Sequence, residues 1–402
     1  MHEFFPGVYP WNLAIHLALQ MGGVLSEIER ETQPLLRFRA ASEPGAAEAW
    51  MSAWARMGDR AAAAGHKDLA AGHGRSGGKK LLRASLYAFM AERLMHVAQD
   101  GRRELYQAGL ERFRSGIEAM REAVEFVEIP YEGTTLPALY VHPKTPPLGG
   151  APGPCMVFFD GFDVNKEFLY YRGPREELVQ RGVALLCVDT PGVGAALRLR
   201  GLHAVVDTER AGKACVDWLL HRRDVDPTRV GIMGVSLGGY YAPRAAAYEK
   251  RFACCVAWGA ANRFGDRIAR ALAQRDGGNV SVADMVEHAR WVFGAKDDAE
   301  LVQITRRFTL DDAATHITCP FLITHGENDR QVPVSEARAV HAAAVNSPRR
   351  ELRIFTAEEG GAEHVNFDHP DNAVDHMADW IVDVLGGKSG PGSIPTSRSH
   401  ST

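Results

Sequence analysis

Apolar positions recur with a helical period in the first third of the chain. In Lys80–Gln107 they are spaced three to five residues apart, which is typical of an amphipathic helix. Glu48–Ala64 and Tyr106–Val124 follow the same pattern. Gly65–Gly78 lies between the first two of these segments in the chain, Glu48–Ala64 and Lys80–Gln107. It contains five glycines and is expected to link two helices. Residues 1–122 are therefore predicted to form a helical N-terminal domain.

From residue 123 onward, strand-like and helix-like segments alternate. Val124–Ile129 and Leu136–His142 predict an antiparallel hairpin. Continuous apolar runs, the pattern of strands buried on both faces of a parallel sheet, follow at Cys155–Phe159, Val183–Val188, Val230–Val235, Ala253–Trp258, Phe321–Thr324 and Leu352–Phe355. Helical segments separate these runs. We therefore predict an α/β fold over residues 123–388, with a doubly wound, mostly parallel sheet.

Two further segments carry no strand pattern. The interval of about 262–316 is too long for a simple crossover, and its helical spacing predicts a cap insertion over an active site. Residues 389–402 consist mainly of Gly, Ser, Pro and Thr with little apolar content, which predicts a disordered tail.

Composition narrows the class of protein. The chain has 402 residues, of which 46% are hydrophobic, enough for a large core. Its net charge of −4 gives no electrostatic reason to expect a nucleic-acid or membrane-surface partner, and no apolar run is long enough to span a bilayer. The six cysteines lie singly or adjacent, mostly in strand-like runs, so we expect buried thiols in the cytoplasm, with neither disulfides nor a metal site.

The strongest chemical signal is Gly234-Val235-Ser236-Leu237-Gly238, which joins an apolar strand to a helix. This Gly-x-Ser-x-Gly pattern is the nucleophile elbow, in which glycines permit a tight turn and the serine hydroxyl stands above the sheet edge. A structural turn is the alternative interpretation of the same residues. In its strand-to-helix context, the pattern favours Ser236 as a nucleophile.

A serine needs a base and an acid, and on such a fold both follow it in the chain. The acid is predicted to be Asp329, in the loop after Phe321–Thr324, with Glu327 as the alternative. The base is predicted to be His364, in the loop after the last strand, because small residues before it let the loop fold back over the sheet edge. His369, which precedes a proline and the final helix, is the alternative.

Acyl chemistry also requires two backbone amides that bind the developing oxyanion. One is expected to be Leu237, at the start of the helix after Ser236. The other is expected to be Phe162, in the loop after Cys155–Phe159, where Gly161 permits a close approach. The loop Asp189–Gly194 lacks the third glycine of a dinucleotide-binding motif and is expected to border the pocket instead.

At these residues the sequence resembles the α/β-hydrolase superfamily, in the group around 2,6-dihydroxypseudooxynicotine hydrolase, which includes fungal polyketide-shortening hydrolases and FrsA-like esterases. Beyond the elbow and Glu363-His364, the resemblance includes Gly65-His66, the Arg83–Tyr87 pattern and the Asp163-x-x-Lys166-Glu167 loop. It implies a serine hydrolase without cofactor or metal, a helical N-terminal lid or dimerisation domain, and a homodimer. Relatives often carry two glycines where this chain has Gly161-Phe162. This difference affects the width expected for the pocket beside the oxyanion-binding amides.

Three catalytic functions and one non-catalytic function are considered for these residues. The preferred hypothesis is hydrolysis of a carbon–carbon bond next to a ketone in an aromatic or polyketide-like small molecule, as in some members of the family. Hydrolysis of a carboxylic ester uses the same residues, and so does acyl transfer to an acceptor other than water. A non-catalytic ligand-binding relative is the alternative from another class, and the presence of Ser236, Asp329 and His364 in the expected order argues against it.

Overall fold

The structure is a computed structural model that describes residues 2–162, 164–274, 282 and 284–386. The predicted disordered tail, 389–402, lies outside these residues, as do positions 275–281 and 283 of the predicted cap and Asp163 of the loop motif. Among the helices described, none has the length and apolar content that crossing a bilayer requires.

The chain before the first strand is helical, as its periodicity predicts. The helices are α1 (Tyr9–Gln20), α2 (Leu25–Thr32), α3 (Ala46–Ala70), α4 (Gly74–Arg93) and α5 (Arg102–Met120). They bury an aromatic core in which Trp11 stacks on Trp50, with ring centroids 5.0 Å apart. Phe168 and Phe367, from later in the chain, belong to the same core. The helices therefore pack directly on the rest of the protein, and the domain boundary at 122/123 stays a prediction.

A link between two helices lies within the predicted segment Gly65–Gly78, but it is much shorter than predicted. Only residues 71–73 separate α3 from α4. A methyl group added at Gly77 would lie 2.8 Å from the carbonyl oxygen of Gly65, and one at Gly78 would lie 2.9 Å from that of Gly116 on α5. These glycines let three helices approach closely, because any larger side chain would force them apart.

The remaining described residues are built around an eight-stranded sheet, which confirms the predicted α/β-hydrolase fold. Its strands are β1 (Val124–Tyr131), β2 (Thr134–Val141), β3 (Gly153–Phe159), β4 (Ala184–Val188), β5 (Val225–Val235), β6 (Cys255–Trp258), β7 (Phe321–Gly326) and β8 (Arg350–Phe355). They lie in the order β1-β2-β4-β3-β5-β6-β7-β8. β1 and β2 form the predicted hairpin, β2 pairs antiparallel with β4, and the other pairs are parallel.

Helices separate the strands. They are α6 (Lys166–Tyr171), α7 (Gly173–Gln180), α8 (Gly194–Arg200), α9 (Glu209–Leu219), α10 (Gly238–Tyr248), α11 (Phe264–Gln274), α12 (Met285–Phe293), α13 (Asp298–Thr305), α14 (Val334–Ala343) and α15 (Asp371–Leu385). Helices α11 to α13 occupy the interval predicted as a cap. Because β3 and β5 to β8 run parallel, the loops after them meet at one edge of the sheet.

Candidate active site

Ser236 stands in the turn between β5 and α10. Its φ of 59° lies in the left-handed region that residues other than glycine rarely adopt. A methyl group at Gly234 would lie 2.0 Å from the carbonyl oxygen of Gly238, so only glycine fits there. The Ser236 amide donates to the carbonyl of Trp258 on β6 at 2.9 Å. The sheet therefore holds the strained turn in place and exposes the hydroxyl at its edge.

Three of the predicted side chains converge at this edge. Ser236 Oγ lies 2.9 Å from His364 Nε2, and His364 Nδ1 lies 2.8 Å from Asp329 Oδ2. The side chains of His364 and Asp329 are 5% and 0% exposed. In such a row, the imidazole can take the hydroxyl proton while the carboxylate orients the ring. The arrangement is the one that a serine nucleophile requires of its base and acid, and these roles stay predictions.

The carboxylate of Asp329 is held by its own loop. Oδ1 accepts hydrogen bonds from the amides of Gln331 and Val332, each at 2.8 Å. His325 Nε2 donates to the Val332 carbonyl at 2.8 Å and lies 3.5 Å from Asp329 Oδ2. Burial acts to raise the pKa of Asp329, but His364, His325 and the Val332 amide hold it below its ordinary value. The ionised form is therefore favoured despite burial.

The loop that carries His364 depends on residues that the sequence did not single out. Val365 and Asn366 have φ of 47° and 55°, so the backbone turns sharply just after the imidazole. Asn366 Oδ1 accepts from Trp258 Nε1 at 2.8 Å, which ties this turn to β6. The carboxylate of Asp368 accepts from the three amides of residues 361–363 at 2.9–3.1 Å. Of these features, the sequence indicates only one, because asparagine adopts left-handed backbone more readily than most residues.

The alternative acid and base lie elsewhere. Glu327 is exposed, and its Oε1 accepts from the amide of Ala357 at 2.6 Å. His369 is exposed, and its ring lies beside Gly360. Among the described contacts, neither side chain touches Ser236, and Glu327 does not touch His364. The structure thus brings together Asp329 and His364 rather than the alternatives.

The predicted oxyanion amides lie on the two loops beside Ser236. A methyl group at Gly161 would come within 3.3 Å of Ser236 Oγ, so the loop after β3 passes close to the hydroxyl. The carbonyl of Phe162 accepts from His288 Nε2 at 3.2 Å. Within the described part of the chain, the amides of Phe162 and Leu237 donate no hydrogen bond. Their role in binding an oxyanion stays a prediction.

A buried cluster of charged side chains holds the loop after β3 in place. Lys166 Nζ lies 2.7 Å from Glu167 Oε1 and 3.0 Å from Asp189 Oδ2. Asp189 also accepts from the amides of Lys166 and Ala195, at 2.7 and 2.8 Å. Burial acts to lower the pKa of Lys166, but the two carboxylates raise it above its ordinary value, so Lys166 carries a charge. The turn Asp189–Gly194 therefore anchors the loop after β3.

Rings line the region next to Phe162. Its ring centroid lies 5.5 Å from that of Phe264, 4.8 Å from that of His288 and 6.4 Å from that of Phe293. Phe264 is on α11, and His288 and Phe293 are on α12. The cap interval thus contributes an aromatic wall beside the loop that approaches Ser236.

The first helix contacts both loops that carry the acid and the base. The hydroxyl of Tyr9 accepts from Gln331 Nε2 at 3.2 Å, and Gln331 lies two residues after Asp329. Gln20 Nε2 donates to the carbonyl of Phe367, three residues after His364. Helix α1 therefore helps to fix the relative positions of the two loops.

Comparison with known proteins is consistent with this geometry. Two family patterns match, the prolyl oligopeptidase family over residues 212–388 and the X-Pro dipeptidyl-peptidase (S15) family over residues 132–271. Hydrolase LUC6 of Fusarium sp is 30% identical over 362 residues, 81% of this chain and 83% of that protein. The 2,6-dihydropseudooxynicotine hydrolase of Paenarthrobacter nicotinovorans is 28% identical over 342 residues, 84% of each chain. The crystal structure of 2,6-dihydroxy-pseudo-oxynicotine hydrolase shares the fold, with a TM-score of 0.74 and 24% identity over 92% of this chain and 95% of that one.

Proposed function

The chain belongs to the α/β-hydrolase superfamily, in the group of the LUC6 and 2,6-dihydropseudooxynicotine hydrolases, and on this premise we propose that it is a serine hydrolase acting through Ser236, His364 and Asp329. That it is a hydrolase follows from these relatives. The observation that supports the finer proposal is the row of contacts at 2.9 and 2.8 Å from Ser236 Oγ through His364 to Asp329. Side chains supply the nucleophile, the base and the acid of this chemistry, and backbone amides supply the donors to the oxyanion.

The reaction proceeds through an acyl-enzyme. Ser236 Oγ attacks the substrate carbonyl while His364 Nε2 takes the hydroxyl proton, and the Phe162 and Leu237 amides bind the oxyanion. When the tetrahedral intermediate collapses, the bond to the leaving group breaks, and His364 returns its proton to that group. His364 then takes a proton from water, whose oxygen attacks the acyl carbon. The acid leaves and Ser236 regains its proton.

The proposed substrate is an aromatic or polyketide-like small molecule with a carbon–carbon bond next to a ketone. In this case the leaving group is a carbanion stabilised as an enolate, which accepts the proton of His364. The aromatic wall of Phe162, Phe264 and Phe293 supports a flat substrate, because rings pack favourably on rings. A carboxylic ester, whose leaving oxygen departs more readily, is the alternative substrate of the same residues.

Two assays test this proposal separately. A fluorophosphonate probe is expected to label folded wild-type protein and not Ser236→Ala, and absence of labelling in the wild type would favour a non-catalytic ligand-binding protein. Turnover of an aryl β-diketone and of a p-nitrophenyl ester is then compared under one set of conditions. Preference for the diketone supports carbon–carbon cleavage, and turnover of the ester alone rejects it. The homodimer implied by the family stays a prediction, to be measured by sedimentation velocity.

A further inference from the structure

A polar cavity lies at the N-terminal end of α5, away from Ser236. Its volume is about 360 Å³, and it is bordered by the connection between α4 and α5, by α8 and by α12. The side chains in its wall that matter here are those of Glu92, Arg102, Tyr106, Arg198 and Trp291.

The buried charged groups in direct contact at this cavity are unequal in number. Arg102 and Arg198 are each 6% exposed and Glu92 is 2% exposed. Glu92 Oε1 accepts from the Nε atoms of Arg102 and Arg198 at 2.7 and 2.9 Å, and its Oε2 accepts from Arg198 Nη2 at 3.0 Å. One carboxylate therefore serves two guanidinium groups. Asp189 raises the pKa of Arg198 and Glu287 that of Arg102, so they offset part of this charge, but among the described residues only Glu92 forms an ion pair with either arginine. The positive charge that stays in excess is unfavourable unless a further anion pairs with it.

Hydrogen-bond donors are also left over. Within the described part of the chain, Arg102 Nη1, Arg102 Nη2 and the Tyr106 hydroxyl are buried without a partner. The Arg102 guanidinium lies over the ring of Trp291, with Cζ 4.5 Å from the ring centroid. Helix α5 begins here after Gly101, without a side-chain cap, so the positive end of a 19-residue helix faces the same region.

We propose that this cavity is a binding site for a small oxyanion, either a carboxylate or a phosphate. Two of its oxygens take the free Nη1 and Nη2 donors of Arg102, a bidentate geometry that the planar guanidinium favours. The rim also carries Asp100, Arg103 and Glu104, which are exposed, so that water screens their charges. The negative charge of the bound anion therefore compensates the positive charge of the buried arginines.

The site is distinct from the place of reaction but connected to it. The ring of Trp291 packs against that of His288, with centroids 5.5 Å apart, and His288 Nε2 contacts the Phe162 carbonyl at 3.2 Å. Through these two contacts, Trp291 in the cavity wall is connected to the loop beside Ser236. The proposal itself rests on the cavity alone and does not depend on the catalytic role of Ser236.

The test is isothermal titration calorimetry with inorganic phosphate and with benzoate, at constant ionic strength. Wild type is expected to bind one or both saturably at a 1:1 ratio, and the probe that binds identifies the anion class. Arg102→Met is expected to weaken binding at least about tenfold, because it removes both free donors. Arg114→Met, on the same helix but outside the cavity, is the matched control and is expected to bind as wild type. No saturable binding, or equal binding by Arg102→Met, would overturn the proposal.

A rim substitution keeps the test independent of folding. Ala98 is exposed and lines the cavity, so a new side chain there does not disturb the core. Ala98→Glu places a negative charge at the opening and is expected to weaken anion binding at least about fivefold, whereas Ala98→Gln, of the same size, is expected to leave it unchanged. Equal affinities for these two variants would contradict an anion site.

Discussion

Two buried clusters of charge in this protein differ in how many partners they have. Asp329 Oδ1 accepts hydrogen bonds from two backbone amides, and Oδ2 accepts one from His364 Nδ1. Around Glu92, one carboxylate is shared by two guanidinium groups, and two nitrogens of Arg102 stay unpaired among the described residues. Both clusters are almost fully buried, so exposure does not explain the difference. The cluster of Asp329, its two amides and His364 is complete and orients the protein's own groups, although the neighbouring His325 Nδ1 has no partner among the described residues. The cluster at Glu92 is incomplete and retains donors for a ligand.

Removing the acid of the complete cluster should have the largest effect. Asp329→Asn keeps the shape of the side chain but loses the charge that stabilises the imidazolium of His364. We expect kcat to fall by about 10⁴-fold, measured with whichever substrate the assays above identify. Glu327→Gln is the control, and its activity should stay within about twofold of wild type. Similar losses in the two variants would show that Asp329 is not the catalytic acid.

Removing the carboxylate of the incomplete cluster should act on stability instead. Glu92→Gln removes the only carboxylate that forms an ion pair with the two buried guanidinium groups among the described residues. The free energy of unfolding should therefore fall by about 3–5 kcal/mol in urea titrations. Glu111→Gln, at an exposed position of α5, should change it by less than about 0.5 kcal/mol.

The same variant has a predicted pH dependence. Burial acts to raise the pKa of Glu92, but Arg102 and Arg198 hold it at about 2, below the ordinary 4.5. The stabilisation by this carboxylate is thus complete above pH 4.5 and is lost as the pH falls toward 2. The difference between wild type and Glu92→Gln should narrow over that window, and a constant difference would contradict the charge argument.

A third experiment examines the histidine beside Asp329. Burial lowers the pKa of His325 below 6.5, although Asp329 opposes the shift. The unfolded chain takes up this proton first, so wild type should lose stability as the pH falls below 6.5, by at most about 1.4 kcal/mol per pH unit. His325→Gln should reduce this slope in urea titrations at pH 7.5, 6.5 and 5.5, since glutamine does not titrate. The exposed His369→Gln should leave the slope as in wild type.

The smallest effect should come from two tyrosine hydroxyls. Tyr87 OH accepts from the Val24 amide at 2.9 Å and donates to Glu27 at 2.7 Å, whereas the buried Tyr106 OH has no partner among the described residues. Tyr87→Phe should cost about 1 kcal/mol, measured by urea unfolding. Tyr106→Phe should be neutral or slightly stabilising. A larger loss for Tyr106→Phe would show that its hydroxyl already has a partner in the protein.

Sequence reasoning found the parts of the site that follow strand ends in chain order. The positions of Ser236, Asp329 and His364 could be predicted because parallel strands bring their following loops to one edge. The residues that shape the His364 loop could not, since the contact of Asn366 with Trp258 joins positions 108 residues apart. The cluster at Glu92 likewise has no local pattern, because Arg198 lies 106 residues away.

The link between α3 and α4 was predicted too long for a different reason. Glycines in Gly65–Gly78 were interpreted as a link because glycine is common in turns. Here they let backbones approach, and both uses have the same composition. Only the partner helix, with Gly116 opposite Gly78, distinguishes them.

The contacts of α1 also bear on how enzymes of this kind can be recombined. On α1, Tyr9 is hydrogen-bonded to Gln331 in the Asp329 loop, and Gln20 to Phe367 in the His364 loop. The helix and the two loops therefore have to fit one another. A chimera that takes its helices from one homologue and its core from another would break that match unless the loops are exchanged together with α1. Helix and loops should therefore be inherited as one unit.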